Sequence, residues 1–143
     1  MSFGFVGAGF HATRNIIPSF IEAGGIINGM STRSKMRSAA ALSKAGSSAT
    51  GKPFDDYKLM LTEVDSVIII TQPKDAVQVV LDCLKAGKNV FCDKPLGMTA
   101  QEAAQVAQEV HGGKVLMAGF MKRFAPIYTH LKQIIASHDL SIL

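Results

Sequence analysis

The chain has 143 residues, 48% of them hydrophobic and 18% charged, which suits one domain around one core and excludes a disordered chain. Its apolar runs are too short to span a bilayer. The net charge of +4 comes without a Trp or a basic run interleaved with aromatics, so neither a membrane nor a nucleic acid is the expected partner.

The charge is uneven. Residues 1–52 carry six basic residues and one acidic residue, a balance of +5; the remainder carries nine basic and ten acidic, a balance of −1. The basic excess falls where the first motif stands. An apolar strand, Phe3–Val6, runs into Gly7-Ala8-Gly9-Phe10-His11-Ala12, and a helix is predicted over Phe10–Ala23. This is a G-x-G-x-x-A turn between strand and helix. Gly7 allows a sharp turn, Gly9 lets a pyrophosphate approach the backbone, and Ala12 lets the helix pack close to the sheet. The free N–H groups of the new helix then face the phosphates. Phe10, His11 and Ala12 complete the motif as candidate cofactor contacts, with His11 near the pyrophosphate or the nicotinamide. The alternatives are a tight turn without a ligand and an incidental loop histidine. Pro18 falls inside the helix and should kink it or replace one turn of hydrogen bonds.

A second strand, Ile26–Met30, ends about where an NAD-binding chain places the Asp or Glu that holds the ribose 2′-hydroxyl. No carboxylate occurs in the run from Asn28 to Arg37. Ser31, Thr32 and Arg33 offer hydroxyls and a guanidinium instead, with Lys35 and Arg37 nearby. That set suits a 2′-phosphate, so NADP is the expected cofactor and NAD the alternative. The competing reading is solvated charge at the start of a surface helix, predicted over Ser34–Ala45. A short strand near Ala49–Phe54 and a helix over Tyr57–Thr62 follow.

Ser66–Thr71 is apolar on both faces, as a central parallel strand should be. A helix over Asp75–Ala86 and a strand over Asn89–Cys92 come next. That strand delivers Asp93-Lys94-Pro95 to the sheet edge where ligands of open α/β folds bind. A partly buried lysine there can hold a substrate hydroxyl or help move its proton; a cis Lys94–Pro95 bond is expected. Thr99 and Glu102 form a capping box for a helix over Ala100–His111. A strand over Lys114–Ala118 and a helix over Ile127–Ala136 close the chain. The alternation of strand and helix predicts an α/β fold, a doubly wound parallel sheet of Rossmann type in a single domain. Cys83 and Cys92 form no C-x-x-C pair and, with four scattered histidines, no metal-ligand pattern, so a reducing cytoplasm is the expected compartment. Cys83 reads as core and Cys92 as the close of a strand.

Four segments taken together, GFVGAGFHA, VDSVIIITQP, LKAGKNVFCDKPLGMT and VLMAGFMKRFAPIY, resemble the glucose-fructose oxidoreductase, inositol dehydrogenase and rhizopine-catabolism family (Gfo/Idh/MocA). The resemblance runs in order over nearly the whole chain. It implies a nicotinamide-dependent oxidoreductase acting mostly on sugars, cyclitols and related compounds. By this resemblance Lys94 is the catalytic or substrate-positioning lysine, and Thr71, Gln72 and Pro73 line the cofactor on its nicotinamide side. Asp93 stands where the family usually has Glu. Ala76 stands where a His is common, and Met121 where an Asn is frequent. The family continues into a second α/β domain with an open sheet. That domain supplies most of the substrate pocket and usually an Asp/His pair for proton transfer. Residues 1–122 are therefore expected to form the NAD(P)-binding domain, and residues 123–143 a helix and the start of a crossover to the second domain. His130 and His138 read as solvated and not as substitutes for the missing pair. A homo-oligomer, or a partner chain carrying the other domain, is possible. The non-enzyme alternative is a nucleotide-binding or redox-sensing module working through a partner.

Overall fold

The computed structural model describes residues 1–138. Six parallel strands form one sheet: β1 Phe3–Val6, β2 Ile27–Ser31, β3 Ala49–Phe54, β4 Ser66–Ile69, β5 Asn89–Cys92 and β6 Leu116–Ala118. Their order is β3-β2-β1-β4-β5-β6. The chain winds outward from β1 in one direction and then from β4 in the other. This is the expected doubly wound arrangement, and β1 and β4 flank its switch point.

Side-chain alternation along the central strands divides the interior into two cores. Phe5, Ile68 and Ile70 face one side, with Ile27 and Met30 of β2, against the first helix and α2 (Lys35–Ala45). Val6, Val67 and Ile69 face the other, with Val90 and Cys92 of β5. There they meet α3 (Tyr57–Met60), α4 (Pro73–Lys85) and α5 (Ala100–Gln108). Phe5 is fully buried, with its ring 5.2 Å from that of Phe20 in an edge-on contact. Burial of such a side chain is worth about 2–3 kcal/mol.

Pro18 has the second of its two expected effects. A π-helical turn, Ala12–Ile16, precedes α1 (Ile17–Glu22), and the Ile17 N–H reaches back five residues to the Ala12 carbonyl. Pro18 has no N–H for an ordinary turn, and its ring crowds the carbonyl four residues earlier. The capping box is present: the Glu102 N–H donates to Thr99 Oγ1 at 3.2 Å, and Glu102 Oε2 accepts from the Thr99 N–H at 3.2 Å.

Boundaries differ from the sequence-based expectation where a strand or helix end meets solvent. Ile26 is half exposed and lies outside β2. α4 begins at Pro73 and not at Asp75, because proline suits the first helical position, where no N–H is needed. The ladder of β4 stops at Ile69, although the Ile70 N–H still donates to the Val6 carbonyl at 2.8 Å. Thr71 then leaves the sheet. Past β6, a short 3-10 turn, Met121–Phe124, leads to α6 (Pro126–Ser137), which buries none of its side chains. His130 and His138 are exposed there. Residues 139–143 of the expected crossover segment lie outside the described residues. Among the described residues no helix is long and apolar enough to cross a membrane.

Both cysteines are buried and free. Burial is the main cause that pushes the Cys83 thiol up to about 12 and the Cys92 thiol up to about 11. Neither forms an appreciable thiolate at neutral pH. A colorimetric thiol reagent should therefore find almost no fast-reacting thiol in the native chain and both in denaturant. A fast native thiol would show that one of the two core positions opens readily.

Candidate functional site

A cleft of ≈ 700 Å³ opens at the carboxyl ends of β1, β2 and β4, at the switch point of the sheet. The Gly7–Gly9 turn forms its floor. Gly7 has φ +100°, and a Cβ there would lie 2.1 Å from the Ile70 carbonyl oxygen. Its N–H donates to the Ser31 carbonyl at 2.8 Å. Gly7 thus ties the ends of β1, β2 and β4 together at a spacing no side chain permits. Gly9 is different: a Cβ there would meet no protein atom within 4 Å. Among the described residues no neighbour requires glycine at position 9, and the bare backbone leaves open space for a ligand to approach it. The turn therefore fits a dinucleotide pyrophosphate.

Of the residues singled out from the sequence, Gly7, Gly9, Ser31, Thr32, Arg33, Thr71 and Gln72 line this cleft. Ala12 is fully buried in the core cluster with Phe5 and Ile17, so its side chain packs the first helix on the sheet. Phe10 is 77% exposed, with the Arg14 guanidinium 5.5 Å from its ring centre. Pro73 is the first residue of α4 and lies outside the cleft lining, as do His11, Asp93 and Lys94. Those last three gather beside it. His11 Nε2 is 3.5 Å from Asp93 Oδ2, and the Lys94 N–H donates to Asp93 Oδ1 at 2.8 Å. Lys94 is exposed, and its bond to Pro95 is cis, as expected. Ala76, in the place of the family's usual His, is buried in the core and faces no ligand.

Thr32 needs a correction of role. The Thr32 hydroxyl donates to the Ser34 carbonyl at 2.9 Å, accepts from the Ser34 N–H and lies 3.1 Å from the Ser38 hydroxyl oxygen. Ser38, fully buried, donates to the Phe54 carbonyl at 2.6 Å and accepts from the Thr32 N–H at 2.9 Å. Thr32 therefore shapes the turn between β2 and α2, and its one hydroxyl proton is committed there. Arg33, in the turn before α2, and Arg37, in its first turn, are exposed along the cleft, and neither forms an ion pair among the described residues.

The cleft lining also takes in residues outside the sequence-based set, among them Asp55, Asp56, Tyr57, Lys74 and Asp75. Asp56 caps α3, accepting from the Lys58 N–H at 2.9 Å. The Tyr57 hydroxyl donates to Asp82 Oδ2 at 2.7 Å and joins α3 to α4. Burial, and then this hydrogen bond, hold the phenol above its ordinary range. Burial alone would raise Asp82 too, but hydrogen bonds from Tyr57, Gln78 and Lys58 outweigh it and leave the carboxyl below its ordinary range. Among the described residues no group of three or more His, Cys, Asp or Glu is placed to hold a metal ion.

The chain is 39% identical to an inositol 2-dehydrogenase of Rhodococcus erythropolis over 66% of its own length and 28% of that protein's. It is 31% identical to inositol 2-dehydrogenase 2 of Saccharopolyspora erythraea over 96% of its length and 41% of the relative's. The apo scyllo-inositol dehydrogenase of Lactobacillus casei has the same fold at a TM-score of 0.81 and 24% identity, over 99% of this chain and 43% of that one. A 3-ketoreductase of Actinomadura kijaniata, solved with TDP-benzene and NADP, matches at a TM-score of 0.84 and 21% identity, over 96% and 43%. The chain thus spans less than half the length of these relatives. Residues 1–120 match the Gfo/Idh/MocA model, described as an oxidoreductase family with an NAD-binding Rossmann fold, and the chain belongs to that family.

Proposed function

We propose that this domain binds NADP(H) and serves an oxidoreductase that moves a hydride to or from a hydroxyl-bearing carbon of a cyclitol or sugar-like substrate. One observation carries the cofactor reading: Arg33 and Arg37 line the cleft beyond β2, and the run from Asn28 to Arg37 that leaves β2 holds no carboxylate. A guanidinium binds a phosphate through charge-assisted, often bidentate hydrogen bonds, and a second one four residues on adds its field. With the Thr32 hydroxyl committed to its own turn, the two arginines and Ser31 are the groups that would hold a 2′-phosphate. Backbone N–H groups of the Gly7–Gly9 turn would face the pyrophosphate, and Thr71 and Gln72 the farther half of the cofactor.

When bound, the nicotinamide supplies the hydride acceptor or donor. The chain supplies position and charge. Lys94, at the carboxyl end of β5, would place its amine at the substrate oxygen and hold or release that oxygen's proton. The names of the sequence relatives support a cyclitol-like substrate. Residues 123–143 would lead to the substrate domain, a role that suits α6, whose side chains pack into neither core of this domain. A second reading, NAD(H), draws on Asp55. Its carboxylate lines the cleft without an ion pair among the described residues, and it can accept from a ribose hydroxyl.

Arg33→Ala separates the two. It should weaken NADPH binding by about 1–3 kcal/mol, the worth of a charge-assisted bond, and barely alter NADH. Equal losses for both cofactors, measured by calorimetric titration, would remove the 2′-phosphate role.

A further inference from the structure

The second half of a dinucleotide that starts beyond β2 and crosses the β1 turn must come to lie toward β4 and β5, because the sheet runs β2-β1-β4-β5. Lys94 stands at that end on an exposed loop, so something must hold the loop in place. The structure offers a chain of three side chains. Asn15 Nδ2 donates to His11 Nδ1 at 2.9 Å. A neutral imidazole accepting at Nδ1 carries its proton on Nε2, and His11 Nε2 faces Asp93 Oδ2 at 3.5 Å. The other oxygen, Asp93 Oδ1, accepts the Lys94 N–H at 2.8 Å. Gly119 closes the far side: a Cβ there would stand 3.4 Å from Asp93 Oδ1. Asp93 is thus engaged through both oxygens, one toward the first helix and one toward the lysine's own backbone.

We propose that Asn15, His11 and Asp93 form a latch joining the glycine-turn helix to the Lys94 loop, with His11 and Asp93 as positioning residues for Lys94. This assigns Asp93 to holding the loop, in place of the direct cofactor contact expected from the sequence. The latch rests on the functional reading above only in what Lys94 is positioned for. The chain of contacts itself can be tested without it.

The test uses the 143-residue chain and its His11→Ala, His11→Gln and Asp93→Asn variants. Long-range nitrogen–proton NMR of the native chain should show the His11 proton on Nε2. A proton on Nδ1 would overturn the latch. His11→Ala should speed exchange of the Lys94 amide by about three- to tenfold, the equivalent of one hydrogen bond, without changing amides of the β4 core. His11→Gln, which restores a donor toward Asp93, should recover much of that protection. Asp93→Asn should behave like His11→Ala. Unchanged Lys94 exchange in both His11→Ala and Asp93→Asn would overturn the proposal. Adenosine 2′,5′-bisphosphate, which carries only the adenylate half, should bind all variants equally, whereas NADPH should bind His11→Ala more weakly. If the bisphosphate fails to bind the native chain, the nucleotide reading fails, and the exchange data still decide the latch.

Discussion

Gly7→Ala is expected to destabilise the domain by about 3–5 kcal/mol, a fall in Tm on the order of 10 °C, more than any other single glycine-to-alanine change in the cleft. Two costs add. The φ of +100° is strained for any residue with a side chain, and the new methyl would lie 2.1 Å from the Ile70 carbonyl oxygen. Neither side can yield cheaply. The Ile70 N–H is bonded to Val6 and the Gly7 N–H is bonded to Ser31, so both residues are tied to the ends of central strands. Thermal unfolding followed by circular dichroism measures the effect. A fall of less than about 2 °C would show that the junction of β1, β2 and β4 is not the rigid point described.

Gly9→Val is expected to do the reverse: little to the fold and much to the ligand. A Cβ at position 9 meets no protein atom within 4 Å, so stability should change by no more than about 1 kcal/mol. A branched side chain there would stand where the pyrophosphate must approach the backbone. Affinity for NADPH should fall at least about a hundredfold, close to 3 kcal/mol. Calorimetry and a melting curve on the same sample check both halves. Native-like affinity in the variant would mean that the glycine turn does not contact the cofactor. On this reading the two glycines of one motif are expected to serve separate ends, Gly7 the fold and Gly9 the ligand.

Local chemistry made much of this legible in the sequence. The turn after β1, the fully apolar β4 and the Thr99–Glu102 box each depend on neighbours within a few residues. The alternation of strand and helix then left one plausible winding. What depends on contacts between distant segments was not legible. Ser38 reads as an ordinary polar residue in a helix, yet it sits at the centre of a buried network that reaches Phe54 and uses up the Thr32 hydroxyl. Asp55, Tyr57 and Lys74 enter the cleft only because β3 and β4, which lead into α3 and α4, pair with β2 and β1. The pairing of His11 with Asp93 spans most of the chain. Pro73, the first residue of α4, is not itself among the residues lining the cleft, although Thr71, Gln72 and Lys74 on either side of it are.

The central claim is that the end of β2 selects a 2′-phosphate through Arg33 and Arg37. Calorimetric titration of the unaltered chain with NADPH and with NADH, in one buffer at low and at moderate salt, tests it most directly. NADPH should bind at least about tenfold more tightly, a difference of about 1.4 kcal/mol, and the gap should narrow as salt screens the guanidinium–phosphate attraction. Equal affinities, or tighter binding of NADH, would contradict the account and transfer the ribose contact to Asp55.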